Sequence, residues 1–584
     1  MHLQFKNLQL RCTYANIKSC FSSHLDPKIY IIISLISLVL LFYSILKIKP
    51  VIVDVNDFLG LISHLSLAYW IGYVLVMVFS IRLYLDKRIN NDTIYLIYLV
   101  VIGLFIFGVP IFAEENARFP WSYYPAGEVK TVLETKYVDT RSSDPLITYR
   151  SWPATHIISS AILYITDIKI ENLLKFMPLF WVLSVILITF SIGKRLKLLS
   201  NQSFFASFLI MASFFSPHYY YSPVSFSYLL YLLLFMFIVA YNTFDLKASS
   251  AESQKDENIN FIKGKITTTI LISLTFISLV ITHVLTAIAI ISSFIFSSLF
   301  IRTLHKKRIK FIMFFLILFI SWYVFIAPIM FENGVKELLR IVMQLDALNI
   351  FKTGKYGVPF AANTTRWIVH YSRFFFIVVY GIAMMIASAF YINGRIKREK
   401  IEPTKICFFW LFGILALFGL KYGGEIDDRI YLFSLVPMVY IMTFTFDRKI
   451  LVIMAILLVF LHMPAHYGTE SFDLVRTTEL NGAKFFAAYA VFDNRETYFS
   501  MWDTFINYYD PEKVKTFWNT LFVVDKPDQS KIDNSTYIIN SDGSYNFLFY
   551  SFGFDPLKEW ILLNQGKLSL FYDNGHYQIY KNKQ

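Results

Sequence analysis

The stretch from Ile94 to Phe112, IYLIYLVVIGLFIFGVPIF, carries no charge. About nineteen residues of helix match the hydrocarbon thickness of a bilayer. Apolar runs of this kind recur along the 584 residues. Inside lipid, every backbone N–H and C=O must find a partner within the protein, so a run of this length has to be helical. The sequence therefore predicts an α-helical polytopic membrane protein. Spans fall near 29–46, 60–80, 94–112, 173–192, 203–215, 225–243, 266–282, 285–300, 311–330, 372–391, 406–420, 430–446 and 450–463, about thirteen in all.

The net charge of +13, from 54 basic and 41 acidic residues, would point to nucleic acid in a soluble protein. Here it reads as the positive-inside bias of a membrane protein, and no nucleic-acid partner is expected. With the N-terminus in the cytoplasm, every second connection is basic. Examples are Arg82, Lys87 and Arg88; Lys194, Arg195 and Lys197; Arg302 to Lys310; Arg395 to Lys405; and Arg448 with Lys449. The first apolar run has no small-residue cleavage site after it and reads as an anchor rather than a signal peptide. The apolar run 154–166 is only about 20 Å long as a helix and is placed along the outer face as an interfacial helix. The stretch 266–300 must return to the same side, which predicts two short helices with a turn at THVLT, residues 282–286.

This threading divides the chain into a basic cytoplasmic tail, 1–28, and two additional N-terminal transmembrane helices, 29–93. A transmembrane domain, 94–463, follows, with a large first outer loop, 113–172, and then an extracytoplasmic α+β domain, 464–584. In that last region KLSLFYDNGHYQIYKN reads as a β-hairpin around an Asn-Gly turn, and STYIINSDGSYNFLFY reads similarly. TTELNGAKFFAAY reads as a helix opened by Thr477 or Thr478. The three cysteines, Cys12, Cys20 and Cys407, supply no disulfide framework to this region.

The unusual polar residues collect in the outer connections. Glu114 and Glu115 stand at a helix exit, where a carboxylate could take the proton of an acceptor hydroxyl; two solvated helix-end acids read equally well there. Glu128 is a further acid in the same loop. Arg150 and His156 flank the WPAT entry to the interfacial helix. SPHYYYSP brings His218 and Tyr219 into a proline-bracketed turn, and His283 with Thr282 and Thr286 makes a polar notch in THVLT. GGEIDDR places Glu425, Asp427, Asp428 and Arg429 at the mouth of a span. Arg429 suits bidentate phosphate binding, and interfacial anchoring by pairing with Glu425 or Asp428 is the competing reading. No H-x-x-x-H, CxxC or DxD motif occurs in the outer connections, so no protein-built metal site is expected. Asn363 and Asn534 lie in glycosylation sequons.

The order of these features resembles the GT-C superfamily of membrane glycosyltransferases. A carboxylate at a helix exit is followed by a long outer loop, then YRSWPATHIISSAILYITDI, SPHYYYSP, THVLT and EIDDRIYLF. The archaeal and bacterial members with a small outer C-terminal domain are the most similar, among them relatives of protein O-mannosyltransferases and aminoarabinose transferases. The resemblance covers most of 94–584. It implies transfer of a sugar from a polyprenyl-phosphate donor to a glycan, lipid or protein acceptor outside the cytoplasm. It makes Glu114 or Glu115 the base and Arg429 the holder of the donor phosphate. Glu128, Arg150, His156, His218, Tyr219, His283 and Glu425 would line the cavity. No cofactor is implied beyond an optional divalent cation; membrane lipids are the surrounding partners. Two departures stand out: the first loop reads WSYYPAGEV where many members carry D-x-x-x-H, and MWDTF at 501–505 is only a faint echo of the W-W-D-Y-G signature of oligosaccharyltransferases, so the chain is not expected to be one of them. A transporter or flippase of lipid-linked sugars, and a surface polysaccharide polymerase using Arg366 and Arg373, are the alternatives. The mid-span residues are overwhelmingly Leu, Ile, Phe and Val, which disfavours transport.

Overall fold

The architecture comes from a computed structural model that describes residues 25–140, 150–215, 218–248, 255–300, 305–332, 335–336, 364–419, 426–490, 496–499, 504–510, 535–552 and 555–583. Glu425, Asn363 and Asn534 lie outside the described residues. The chain begins with α1 (Pro27–Ile48), α2 (Leu67–Leu85), α3 (Asp92–Ala113), α4 (Tyr123–Thr135) and α5 (Ala154–Thr166). It continues through α6 (Ile170–Arg195), α7 (Ser200–Ser213), α8 (Pro223–Ala248), α9 (Lys255–Val280), α10 (Val284–Phe300) and α11 (His305–Ser321). Then come α12 (Thr364–Ile392), α13 (Arg398–Leu415), α14 (Ile426–Thr445) and α15 (Arg448–Tyr467).

Nine helices among the described residues are long and apolar enough to cross a membrane. The remaining predicted spans are helices too. α7 and α10 are shorter, and α13 and α14 carry charges in their first turns. Apart from Gln202, every residue of α7 is buried. A helix covered on every side belongs to the core of the bundle, and α7 packs against α3, α6, α14 and α15. α1 instead turns Ile32, Leu35, Val39 and Leu46 outward, a face suited to lipid.

Two prolines inside helices show how such a bundle satisfies its backbone. Pro110 in α3 has no N–H to give the carbonyl four residues back, and Tyr467 donates its hydroxyl to that oxygen, on Ile106, at 2.6 Å. Pro437 in α14 leaves Phe433 in the same position, and Tyr231 donates to it at 2.7 Å. An unsatisfied carbonyl is expensive in lipid, so each tyrosine acts as a replacement donor. Small residues let other helices close in: at Gly413 an added Cβ would lie 2.3 Å from the Ser293 Cα.

The basic ends of the helices meet one another. Asn201 and Arg448 both donate to the Tyr84 carbonyl, at 3.1 and 3.4 Å, and Lys194 pairs with Asp92 at 3.4 Å. The opposite end carries the loops richest in polar residues. There the chain breaks between α9 and α10 at residues 281–283, where the turn at THVLT is expected. α5 also forms, with Ile157, Ile158, Tyr164 and Ile165 exposed and Thr155, His156, Ser159 and Ser160 buried. Its apolar side faces away from the protein, as an interfacial helix requires.

Beyond α15 come α16 (Glu470–Asp473), α17 (Thr477–Tyr489), β1 (Glu496–Phe499), α18 (Thr504–Tyr509), β2 (Ser535–Ser541), α19 (Asp542–Phe552), α20 (Pro556–Leu563), β3 (Leu568–Asp573) and β4 (Tyr577–Asn582). The sheet runs β1-β2-β4-β3, with β1 parallel to β2 and the other pairs antiparallel. The hairpin predicted at the terminus forms, with Gly575 at φ +87° in its turn. The other expected hairpin does not: β2 leads into helix α19 instead. The Ser541 hydroxyl accepts from the Ser544 N–H and Glu479 accepts from the Gly543 N–H, so the SDGS segment starts a helix rather than a turn.

Candidate functional site

α3 ends at Glu114, and the chain after it turns back into the protein. Lys175 donates to the Glu114 and Glu115 carbonyls at 2.8 and 3.0 Å. Four residues past the helix end, Arg118 becomes the centre of a buried ionic cluster. Its Nε reaches Glu470 at 2.7 Å and its Nη2 reaches Asp473 at 3.3 Å. Nη2 also donates to the His466 carbonyl at 3.3 Å, and Nη1 donates to the Tyr219 hydroxyl. Tyr219 in turn meets His466 Nε2 at 3.0 Å. Phe119 follows at φ +70°, a region a bulky side chain rarely occupies, with the Arg118 guanidinium 4.4 Å above its ring.

Glu114, expected at the exit as an open base, is 0% exposed. Burial, then Glu470, pushes its carboxyl well above the usual range, which keeps it protonated. Asp473 is pushed up to about 6, by burial first, with Arg118 opposing. Burial works against the charge on Arg118 as well, but Glu470 and Asp473 hold it protonated. Glu115, next in sequence, is exposed.

A second cluster lies at the turn between α9 and α10. His283 Nδ1 meets the Thr286 hydroxyl at 3.0 Å, and Thr286 meets Ser227 at 2.9 Å. Trp152 covers the His283 ring, centroid to centroid 5.0 Å. The segment carrying Trp152 is docked there by hydrogen bonds. The Ala154 N–H donates to the Ile281 carbonyl at 3.2 Å, Trp152 to the Tyr323 hydroxyl at 3.1 Å, and Trp322 to the Ser151 carbonyl at 3.2 Å. His218 and Arg429, both buried, lie within electrostatic reach of His283. Burial, then Arg429, then His218 hold the His283 imidazole neutral.

The same docked segment forms one wall of a cavity of about 440 Å³. Glu128 from α4, Arg150, His156 and Asp510 line it. Arg150 grips Glu128, Nε to Oε2 at 2.9 Å and Nη2 to Oε1 at 3.4 Å. α18 closes the far side. Asn507 donates to the Tyr124 carbonyl at 3.1 Å, and a Cβ on Gly127 would fall 2.5 Å from the Asn507 carbonyl oxygen. Only glycine admits that approach.

Thus Arg429, His218 and His283 come together, and Trp152 joins them to the cavity of Glu128, Arg150 and His156. Tyr219 belongs instead to the Arg118 cluster with Glu114. Sequence reasoning missed Arg118, Glu470, Asp473 and His466. One signal was present: His462 and His466 form an H-x-x-x-H pair that straddles the end of the last predicted span rather than lying within an outer connection; they stand one helical turn apart on α15, and their rings stack at 5.0 Å. Among the described residues no group of His, Cys, Asp and Glu is arranged to hold a metal ion.

Fold and site together define a helical membrane protein whose polar chemistry gathers where the loops and an appended α+β unit meet the bundle. No family model matches the sequence, and no curated protein matches it. Among the distantly similar solved structures are two of one enzyme. One is the Archaeoglobus fulgidus oligosaccharyltransferase in the apo form, at 13% identity and TM-score 0.46, covering 85% of this chain and 75% of that one. The other is the same enzyme tethered to an acceptor peptide containing the NVT sequon, at 14% identity and TM-score 0.44, covering 88% and 74%. Likeness at this level carries no argument about chemistry.

Proposed function

We propose that the protein is a membrane glycosyltransferase of the GT-C type. It moves a sugar from a polyprenyl-phosphate-linked donor to an acceptor on the extracytoplasmic side. The supporting observation is a buried arginine, Arg429, set near a cavity. Arg429 lies with His218 and His283 at the first turn of α14, and the Trp152 segment connects them to the space lined by Glu128, Arg150 and His156.

In this reading the transfer is an in-line displacement. The acceptor oxygen attacks the anomeric carbon, the bond to the carrier phosphate breaks, and Arg429 takes up the charge that develops on the departing phosphate. A carboxylate removes the acceptor proton. Of the paired acids Glu114 and Glu115, the exposed Glu115 is the one a substrate reaches, and Glu128 is the acid that borders the cavity. Glu114 serves as a protonated strut. The N-terminus is cytoplasmic, 94–463 form the catalytic membrane domain and 464–584 hang outside.

The test incubates purified protein with radiolabelled polyprenyl-phosphate sugars and candidate acceptors. Arg429→Ala is expected to abolish transfer, and Glu115→Gln or Glu128→Gln to lower it by about 10²–10⁴. Full transfer by the arginine variant and by both acid variants rejects the reading. Chemical labelling that finds residues beyond 464 on the cytosolic side rejects it as well.

A further inference from the structure

α1 and α6 both pack on α3, and each packs there more extensively than on the other. α3 is thus the floor of a groove whose walls are α1 and α6. Past its first turn, the half-buried residues of this otherwise buried helix are Leu96, Ile97, Val100, Leu104 and Phe112. Val100, Leu104, Gly108 and Phe112 stand four apart and form one row along the helix. A Cβ added at Gly108 would first meet Leu104 and Phe112 of the same helix, at 3.5–3.8 Å, rather than the backbone of a neighbour. From Val100 to Phe112 the row runs about 18 Å, enough for the roughly 15 Å of hydrocarbon in one leaflet.

Three phenylalanines cross the groove near the end of the bundle that carries the polar loops. Phe112 lies 6.0 Å, centroid to centroid, from Phe42 on α1 and 6.5 Å from Phe176 on α6. Phe42 and Phe176 are 44% and 45% exposed. Beyond these rings each wall carries a lysine. Lys175, next to Phe176, is fixed by its bonds to the Glu114 and Glu115 carbonyls, which use two of its three N–H donors. Lys49 directly follows α1, is exposed, and lies within electrostatic reach of Lys175. The acids within the same reach are Glu114 and the exposed Glu115. With Glu114 protonated, two ammonium groups face one carboxylate around Lys175, an excess of one positive charge.

We infer that this groove binds an anionic phospholipid of the surrounding leaflet, with its phosphodiester between Lys49 and Lys175 and an acyl chain along the row from Phe112 to Val100. The single negative charge of a phosphodiester balances the excess; a zwitterionic headgroup brings no net charge to do so. The lysine stems run along apolar surface and hold their charge at headgroup level, and the three rings sit just beneath, where aromatic side chains collect in membranes. The walls turn Val39 and Leu46 of α1 and Phe180 of α6 outward, so the groove opens to the bilayer itself and draws its occupant from there. The bound headgroup braces the exit of α3, where Glu114 and Glu115 begin the first outer loop. The inference is independent of the sugar-transfer reading.

The test is native mass spectrometry of the full-length protein in detergent, titrated with chain-matched phosphatidylglycerol, phosphatidylcholine and a polyprenyl phosphate. A basic side chain beside an anionic headgroup is worth about fivefold in binding, and Glu115 takes back part of what the two lysines supply. Phosphatidylglycerol is therefore expected to bind at least about tenfold more tightly than phosphatidylcholine. Lys49→Glu, at an exposed position, is expected to bring the two phospholipids to within about threefold of each other. Phe42→Ala/Phe176→Ala, which strips the aromatic row from both walls, is expected to weaken both phospholipids alike. Equal binding of the two phospholipids by the parent protein overturns the proposal, as does an unchanged ratio in Lys49→Glu or undiminished binding by the double phenylalanine variant. A dependence on Lys49 confined to the polyprenyl phosphate assigns the groove to that carrier and overturns it as well.

Discussion

Replacing Arg118 with methionine removes the guanidinium but keeps much of the side-chain volume. Glu470, 0% exposed, loses a contact at 2.7 Å, and Asp473 loses one at 3.3 Å. Breaking a buried ion pair from one side costs about 3–5 kcal/mol. The chain has one escape, which is to protonate the stranded carboxyl. Measured against an unfolded glutamate that titrates near 4.3, a proton costs about 4 kcal/mol at pH 7 and about 1 kcal/mol at pH 5. The expected loss for Arg118→Met is therefore about 4 kcal/mol at pH 7, falling to about 1–2 at pH 5. Unfolding in mixed micelles by SDS titration reads both values. Adding Glu470→Gln to Arg118→Met should recover a large part of the loss at pH 7, because the amide needs no proton. A loss below about 1 kcal/mol at pH 7, or an equal loss at both pH values, would refute the reasoning.

Three further substitutions probe other parts of the molecule. Glu114 has its folded pKa raised above the unfolded value. Its contribution is thus complete in acid below about pH 4.5 and is lost as pH climbs toward the folded pKa. Glu114→Gln should remove that slope and leave the protein at least as stable as the parent at pH 7; the same titration run from pH 4.5 to 8 checks it. Tyr467→Phe strands the Ile106 carbonyl and should cost about 1–3 kcal/mol, measurable by thermal unfolding in detergent. Trp152→Ala uncovers His283 and loses the bond to Tyr323. It should lower kcat for sugar transfer at least about tenfold through misplacement while the far-ultraviolet circular dichroism stays unchanged.

What could be read from the sequence follows from how local each signal is. The spans were legible because a helix in lipid needs only its own apolar length, and Ile94–Phe112 supplies it without help from elsewhere. The terminal hairpin was legible because Asn574-Gly575 specifies a turn by itself. The stretch after β2 misled because its Asp-Gly pair is equally good at opening a helix, and the choice was made by Glu479, more than sixty residues upstream. Arg118 was invisible for the same reason. An arginine near a helix end looks like an ordinary interfacial residue, and its partner Glu470 is 352 residues away. Glu114 looked like a surface acid because nothing nearby in the chain announces the acids that close over it. His283, by contrast, was marked by its own setting, a polar notch in a run that had to turn.

The separation between Arg118 and Glu470 also has a temporal side. A ribosome adding about 5–20 residues per second needs roughly 20–70 seconds to travel from one to the other. Throughout that interval the newborn first loop holds a cation whose counterions do not yet exist. Final closure of this end of the molecule is therefore among the last events of its biogenesis, and a chain terminated after the last membrane helix would leave that arginine waiting.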